Sequence, residues 1–168
     1  MNKSSLIKLV TSLVLLGASS VLLFKCFSRD KAQTGSVYFY DLQEQKLFTA
    51  PQGSIPPIAG IKGAPMASVR AIVISASGDP SDKKHFQIAY LEKYTPEIKA
   101  LFEEVHQARK EGRSEEGLIN RKEVVSNTLV RRPQDTEWQP LNSPQGKQIA
   151  EEWNMPDADG RLPVVCSP

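Results

Sequence analysis

The chain has 168 residues, with 21 Lys and Arg against 19 Asp and Glu, a formal net charge of +2, two cysteines and two histidines. This balance excludes a polybasic nucleic-acid binder, and so few cysteines exclude a disulfide-dense secreted scaffold. The length accommodates one compact domain and not comfortably two.

The first predicted element is an apolar run from Leu6 to Phe24, preceded by Lys3 and carrying Lys8 near its start, and followed by Lys25, Arg29 and Lys31. Its ~19 residues rise roughly 28 Å as a helix, close to the hydrocarbon thickness of a bilayer. Leu6, Leu9, Val10, Leu13, Leu16, Leu22 and Phe24 supply the lipid-facing surface. Lys8 lies one turn from the end, where its stem reaches the headgroups. Gly17, Ala18, Ser19 and Ser20 make a small-residue patch, either a contact for a second helix or merely tolerated there.

A cleaved signal peptide fits less well, because Val21, Leu22, Leu23 and Phe24 continue the run past the small residues. Lys25 before Cys26 also departs from a lipobox. Basic residues flank both ends almost equally, so charge does not set the orientation. The common arrangement for a lone N-terminal anchor gives a single-pass protein of the inner (cytoplasmic) membrane with an extracytoplasmic C-terminal domain.

Residues 1–31 are thus expected to be the anchor and its flanks, 32–36 a linker, 37–153 an α+β domain and 154–168 an irregular tail. Five basic residues but only one acid, Asp30, lie in the first 31 positions, so the remaining 137 residues carry 16 basic and 18 acidic side chains. Cys26 and Cys166 are either two independent thiols, bridges to other molecules, or a bond closing a long loop.

Val37 to Leu42 and Leu47 to Thr49 predict a β-hairpin, without the Asn-Gly or Asp-Gly of a tight turn. Pro51 to Pro65 is too rich in Pro and Gly for a helix or central strand, and predicts a surface loop. Ile55, Pro56, Pro57 and Ile58 are its candidate interaction residues. Ser68 to Ser75 is apolar on both faces beyond Arg70 and predicts a central strand. Phe86 to Glu92 predicts its hairpin partner, with Phe86, Ile88 and Tyr90 on one face.

Thr95-Pro96-Glu97 combines a capping hydroxyl, a first-turn proline and an acid at the dipole's positive end, and predicts a helix ending before Gly112. Ile98, Leu101, Phe102 and Val105 form its apolar stripe. Val124-Val125 and Leu129-Val130 predict short strands, and Trp138 another extended piece. Ser143-Pro144 predicts a short helix burying Ile149, Ala150 and Trp153. The expected fold class is therefore α+β: a transmembrane helix, then an antiparallel sheet of hairpins packed by one amphipathic helix.

Chemical motifs are sparse. His85 and His106 lack ligating or catalytic company in sequence. Asp157-Ala158-Asp159-Gly160 misses both anchoring ligands of a calcium loop, with Met155 and Cys166 in their places. Gly60-Ile61-Lys62-Gly63 is not a phosphate loop, and Ser75-Ala76-Ser77-Gly78 is not a nucleophile elbow. No catalytic residue, metal ligand or cofactor is expected.

Tyr38-Phe39-Tyr40-Asp41-Leu42, Lys46-Leu47-Phe48, Val69-Arg70-Ala71 and Tyr90 to Glu97 together resemble a group of uncharacterised small bacterial proteins with one N-terminal membrane segment. The resemblance covers about residues 37–97 and implies no activity. Members of that group often carry a cysteine pair near the loop Ser75 to Asp79, and this chain has none there.

The expected function is non-enzymatic: a domain anchored in the lipid bilayer that contacts a membrane-protein partner, as an accessory subunit of an envelope complex, with no nucleic acid. The alternative is an envelope hydrolase using Asp79, Asp82 or His85. A third reading is a ligand or glycan binder using Tyr38, Tyr40, Tyr90 and Trp138.

Overall fold

A computed structural model describes residues 35–114 and 119–168. The expected membrane helix, with Leu6, Leu9, Val10, Leu13, Leu16, Leu22, Phe24 and the patch Gly17 to Ser20, lies outside the described residues, as does Cys26. Among the described residues no helix is long and apolar enough to cross a membrane.

Residues 35–168 form a small α+β unit built on an antiparallel sheet. Strands β1 (Ser36–Asp41), β2 (Lys46–Pro51), β3 (Ser68–Ser75), β4 (Phe86–Tyr94), β5 (Thr128–Arg131) and β6 (Gln139–Pro140) lie in the order β2-β1-β3-β4-β5-β6. A seventh strand, β7 (Val164–Val165), pairs with β3. The helices are α1 (Pro96–Lys110), α2 (Arg121–Ser126) and α3 (Pro144–Glu151).

The first hairpin turns without glycine because Asp41 does the work itself. Its Oδ1 accepts from the amides of Gln43 at 2.9 Å and Glu44 at 3.0 Å, and Gln45 takes a φ of 51°. Strand β3 is central as expected, with Val69, Val73 and Ile74 almost wholly buried. Against β4 its register shifts: Ile72 faces Tyr90 but Val73 faces Ile88. This bulge absorbs Ala89 and reverses the alternation beyond it, so Leu91, and not Tyr90, joins Phe86 and Ile88 on one face.

Helix α1 ends where expected, with Gly112 at φ 68°. Thr95, however, makes no side-chain cap bond; its hydroxyl turns to Asn127 Oδ1 at 3.4 Å. Ile98, Val105 and Ala108 are buried, Leu101 and Phe102 half-buried. The Phe102 ring lies 4.9 Å from that of Tyr94.

Val124-Val125 is helical, contrary to the strand expected there. Asn120 caps the amide of Lys122 at 3.0 Å, and the side chains of Ser126, Asn127 and Thr128 bond the carbonyls of Lys122, Glu123 and Val124. These polar contacts outweigh the β preference of two valines. In α3, Ser143 Oγ accepts from Gly146 N at 3.0 Å, as its sequence position predicts. The stretch read as an irregular tail instead supplies β7, and Cys166 N donates to Val73 O at 2.8 Å.

Candidate functional site

Strand pairing sorts side chains into two layers. Tyr94 and Arg132 point to the helices, since Tyr94 meets Phe102 of α1 and Arg132 pairs with Glu152 at the end of α3. On the other face Tyr38, Tyr40, Leu42, Phe86, Ile88 and Trp138 pack against buried Val69, Ala71, Val73, Leu91 and Cys166. None of these residues belongs to a helix. Aromatic rings close this face, and Tyr38 meets Phe86 edge-on at 6.5 Å.

Lys93 of β4 and Arg131 of β5 lie on this same face, because Leu91 pairs with Arg131 and Lys93 with Leu129. Both cations converge on Trp138: Lys93 Nζ is 4.4 Å and the Arg131 guanidinium carbon 4.9 Å from the ring centroid. These distances are within cation–π range. Burial first, and then the charge of Arg131, pulls the Lys93 ammonium below the ordinary lysine range.

Neither cation has a carboxylate partner among the described residues. The neighbouring Arg132 is, by contrast, saturated by Glu152 and Asp135. Arg131 donates from Nη1 to the Asp135 carbonyl, while its covered Nε has no partner among the described residues. A half-buried, under-bonded guanidinium on the same ring as a half-buried ammonium can receive an anion.

Sequence reasoning singled out Trp138 but missed Lys93 and Arg131. The available signal was the alternation of Leu91 with Lys93 and of Leu129 with Arg131 on predicted strands. Of the four rings proposed as ligand contacts, Tyr38, Tyr40 and Trp138 share the helix-free face, whereas the bulge sends Tyr90 to the other layer.

The loop Ile55 to Ile58 is fastened to the fold. Pro56 is buried, the Pro56 carbonyl accepts from Tyr94 N at 3.4 Å, and Ile55 O accepts from Lys99 Nζ at 3.2 Å. Ile58 exchanges backbone bonds with Ser68 at 2.8 and 3.0 Å. Further along, Asp41 Oδ2 accepts from Ile61 N at 2.6 Å, tying this loop to the first hairpin. The amide of Glu44, with help from those of Ile61 and Gln43 and the charge of Lys62, holds the Asp41 carboxyl below its usual range against the cost of burial.

The proposed hydrolase residues make a partial constellation. His85 Nδ1 lies 2.6 Å from Asp82 Oδ2, and Ser77 bonds Asp82 too. His85, chiefly, depresses the Asp82 carboxyl, and burial opposes it. Both hydrogen-bonded side chains thus lean on the carboxylate, whereas a nucleophile activated by histidine needs its hydroxyl on the imidazole's other nitrogen. Asp79 accepts from Ser81 N at 2.8 Å in a turn. Among the described residues no group of three or more His, Cys, Asp or Glu is placed to hold a metal ion.

Two cavities stand out elsewhere. One of about 870 Å³ lies between α2 and Asn142, lined by Asn120, Lys122 and Val125. One of about 410 Å³, lined by Arg132, Asp135, Gln139, Gln145 and Ile149, lies beside α3. No protein-family model, curated protein or solved structure matches the chain.

Proposed function

We propose that the chain is a membrane-tethered, non-enzymatic binding protein. A transmembrane helix over residues 6–24 holds the α+β unit on the extracytoplasmic surface of the inner membrane, where it contacts a membrane-protein partner as an accessory subunit. The observation that carries the contact is the helix-free aromatic face with Lys93 and Arg131 unpaired against Trp138. The anchor rests on the length and apolarity of Leu6 to Phe24 alone.

Carbonate washing of membranes, followed by sizing of a mild detergent extract, tests this reading. The chain is expected to stay with the membrane and to elute in an assembly larger than its own 18.6 kDa in a micelle. Release into the aqueous fraction, with a terminus downstream of Phe24, overturns the anchor. Elution as a lone monomer overturns the accessory role.

The close Asp82–His85 contact favours one second reading, an envelope hydrolase. It requires that His85→Ala abolish a hydrolytic activity of the purified chain.

A further inference from the structure

We propose that Lys93, Arg131 and Trp138 form a receptor for a side-chain carboxylate of an acidic, apolar-flanked peptide segment on the partner protein. The proposal rests on the binding reading above and names the chemistry that the partner brings.

Exposed Lys62, Arg113 and Arg161 each have an acid within 2.9 Å. Lys93 and Arg131 are less exposed, sit together, and have none among the described residues. Two like charges on one half-buried ring repel each other, and solvent screens them less than it would at the surface. An arriving carboxylate removes that repulsion and supplies the missing acceptor.

Orientation is prearranged. The Asp135 carbonyl holds Nη1 of Arg131, which leaves Nη2 without a hydrogen bond among the described residues. The indole of Trp138 supports both cations, so little side-chain freedom remains to be lost on binding. A guanidinium fork matches a carboxylate, and the Lys93 charge on the same ring adds to its attraction.

The surroundings favour a peptide. Half-buried Tyr38, Tyr40, Phe86 and Ile88 pack over the same buried cluster as Trp138, a floor on which apolar neighbours of the acid can lie. A free phosphate brings no such neighbours. Two cations also fall short of the four or more with which proteins grip anionic bilayers, and the chain after residue 31 has more acidic than basic residues.

The test uses the full chain in detergent micelles with Trp153→Phe, so that Trp138 is the one indole. The blocked peptide acetyl-Leu-Glu-Leu-Glu-Leu-amide is titrated while Trp138 emission is read. Saturable change is expected, with affinity falling about tenfold in Lys93→Met or Arg131→Met, and Lys93→Arg retaining it. Far-ultraviolet circular dichroism checks that the variants fold, and the arginine variant keeps the test valid if Lys93→Met does not.

The glutamine counterpart of the peptide is expected to leave emission unchanged. An equal response to that peptide, or no response to the acidic one, overturns the proposal. Tighter response to inorganic phosphate or to vesicles containing phosphatidylglycerol also overturns it, in favour of a phosphate reader. If the acidic peptide fails while the detergent-extracted assembly persists on sizing, this receptor is wrong and the accessory reading stands.

Discussion

Gly146→Ala is expected to destabilise the domain, although helix propensity alone demands the reverse. Gly146 occupies the first turn of α3, and alanine in an exposed helix is favoured over glycine by about 1 kcal/mol. A Cβ there would fall inside the contact distance of the Pro140 carbonyl oxygen, with Pro140 C at 2.8 Å and Leu141 Cα at 3.0 Å. All three atoms are backbone and none can swing aside. Pro140 O also accepts from Ser143 N at 2.9 Å and Ser143 Oγ at 2.7 Å, so moving it strains the turn that starts the helix.

Overpacking costs about 1–3 kcal/mol and each weakened hydrogen bond roughly 1 kcal/mol. Against a gain of about 1 kcal/mol from propensity, the net loss is about 2 kcal/mol. In a unit of this size that lowers Tm by roughly 8 °C. Thermal melting of the full chain in detergent, followed by circular dichroism, measures it. Because Pro140 lies two residues beyond Trp138, the indole emission is expected to shift as well. An unchanged or raised Tm would refute the close approach of α3 to β6.

Three other changes test separate parts of the fold. Burial, only partly offset by Arg70, raises the Glu92 carboxyl, so its penalty is absent well below the ordinary glutamate pKa and grows as pH rises through the folded value; Glu92→Gln is expected to increase stability at pH 7 and to flatten urea-unfolding midpoints between acid and neutral pH. Asp41 has the opposite sign, contributing stability above its unfolded pKa of about 3.9 that disappears as pH falls through its depressed folded value. Asp41→Asn sets an amide N–H against a backbone N–H in either orientation, so faster hydrogen exchange is expected at Ile61 or at Gln43 and Glu44, and unchanged exchange at all three would contradict the clip. Leu91→Ala removes a fully buried side chain from the aromatic face and is expected to cost about 2–5 kcal/mol in urea unfolding, whereas a loss under 1 kcal/mol would mean that this layer is loosely packed.

Elements whose local chemistry is self-sufficient were legible in the sequence. Strand β3 declares itself because both its faces are apolar, α1 because Thr95-Pro96 and Gly112 mark its ends, and α3 because Ser143 precedes a proline. The first hairpin was visible in its strands, though its turn depends on the Asp41 carboxylate.

What escaped depends on distant partners. The bulge at Ala89 is a property of two strands together, and it decides whether Tyr90 or Leu91 faces the aromatic layer. Strand β7 is only two residues long and exists because β3 has a free edge there. Helix α2 runs against its valines on side-chain bonds from Ser126, Asn127 and Thr128. Nothing local in the sequence brings Lys93 and Arg131 together; strand register sets them on one ring.

Photocrosslinking in intact membranes tests most directly whether the aromatic face meets a partner. Thr49 is exposed and pairs with Tyr38 on that face, while Lys110 is exposed at the end of α1. With a benzoylphenylalanine at each position in turn, one discrete protein adduct is expected from position 49 and none from position 110, and the Lys93→Met, Arg131→Met double variant is expected to lose it. No adduct at position 49, or the same adduct at both positions, would contradict the account.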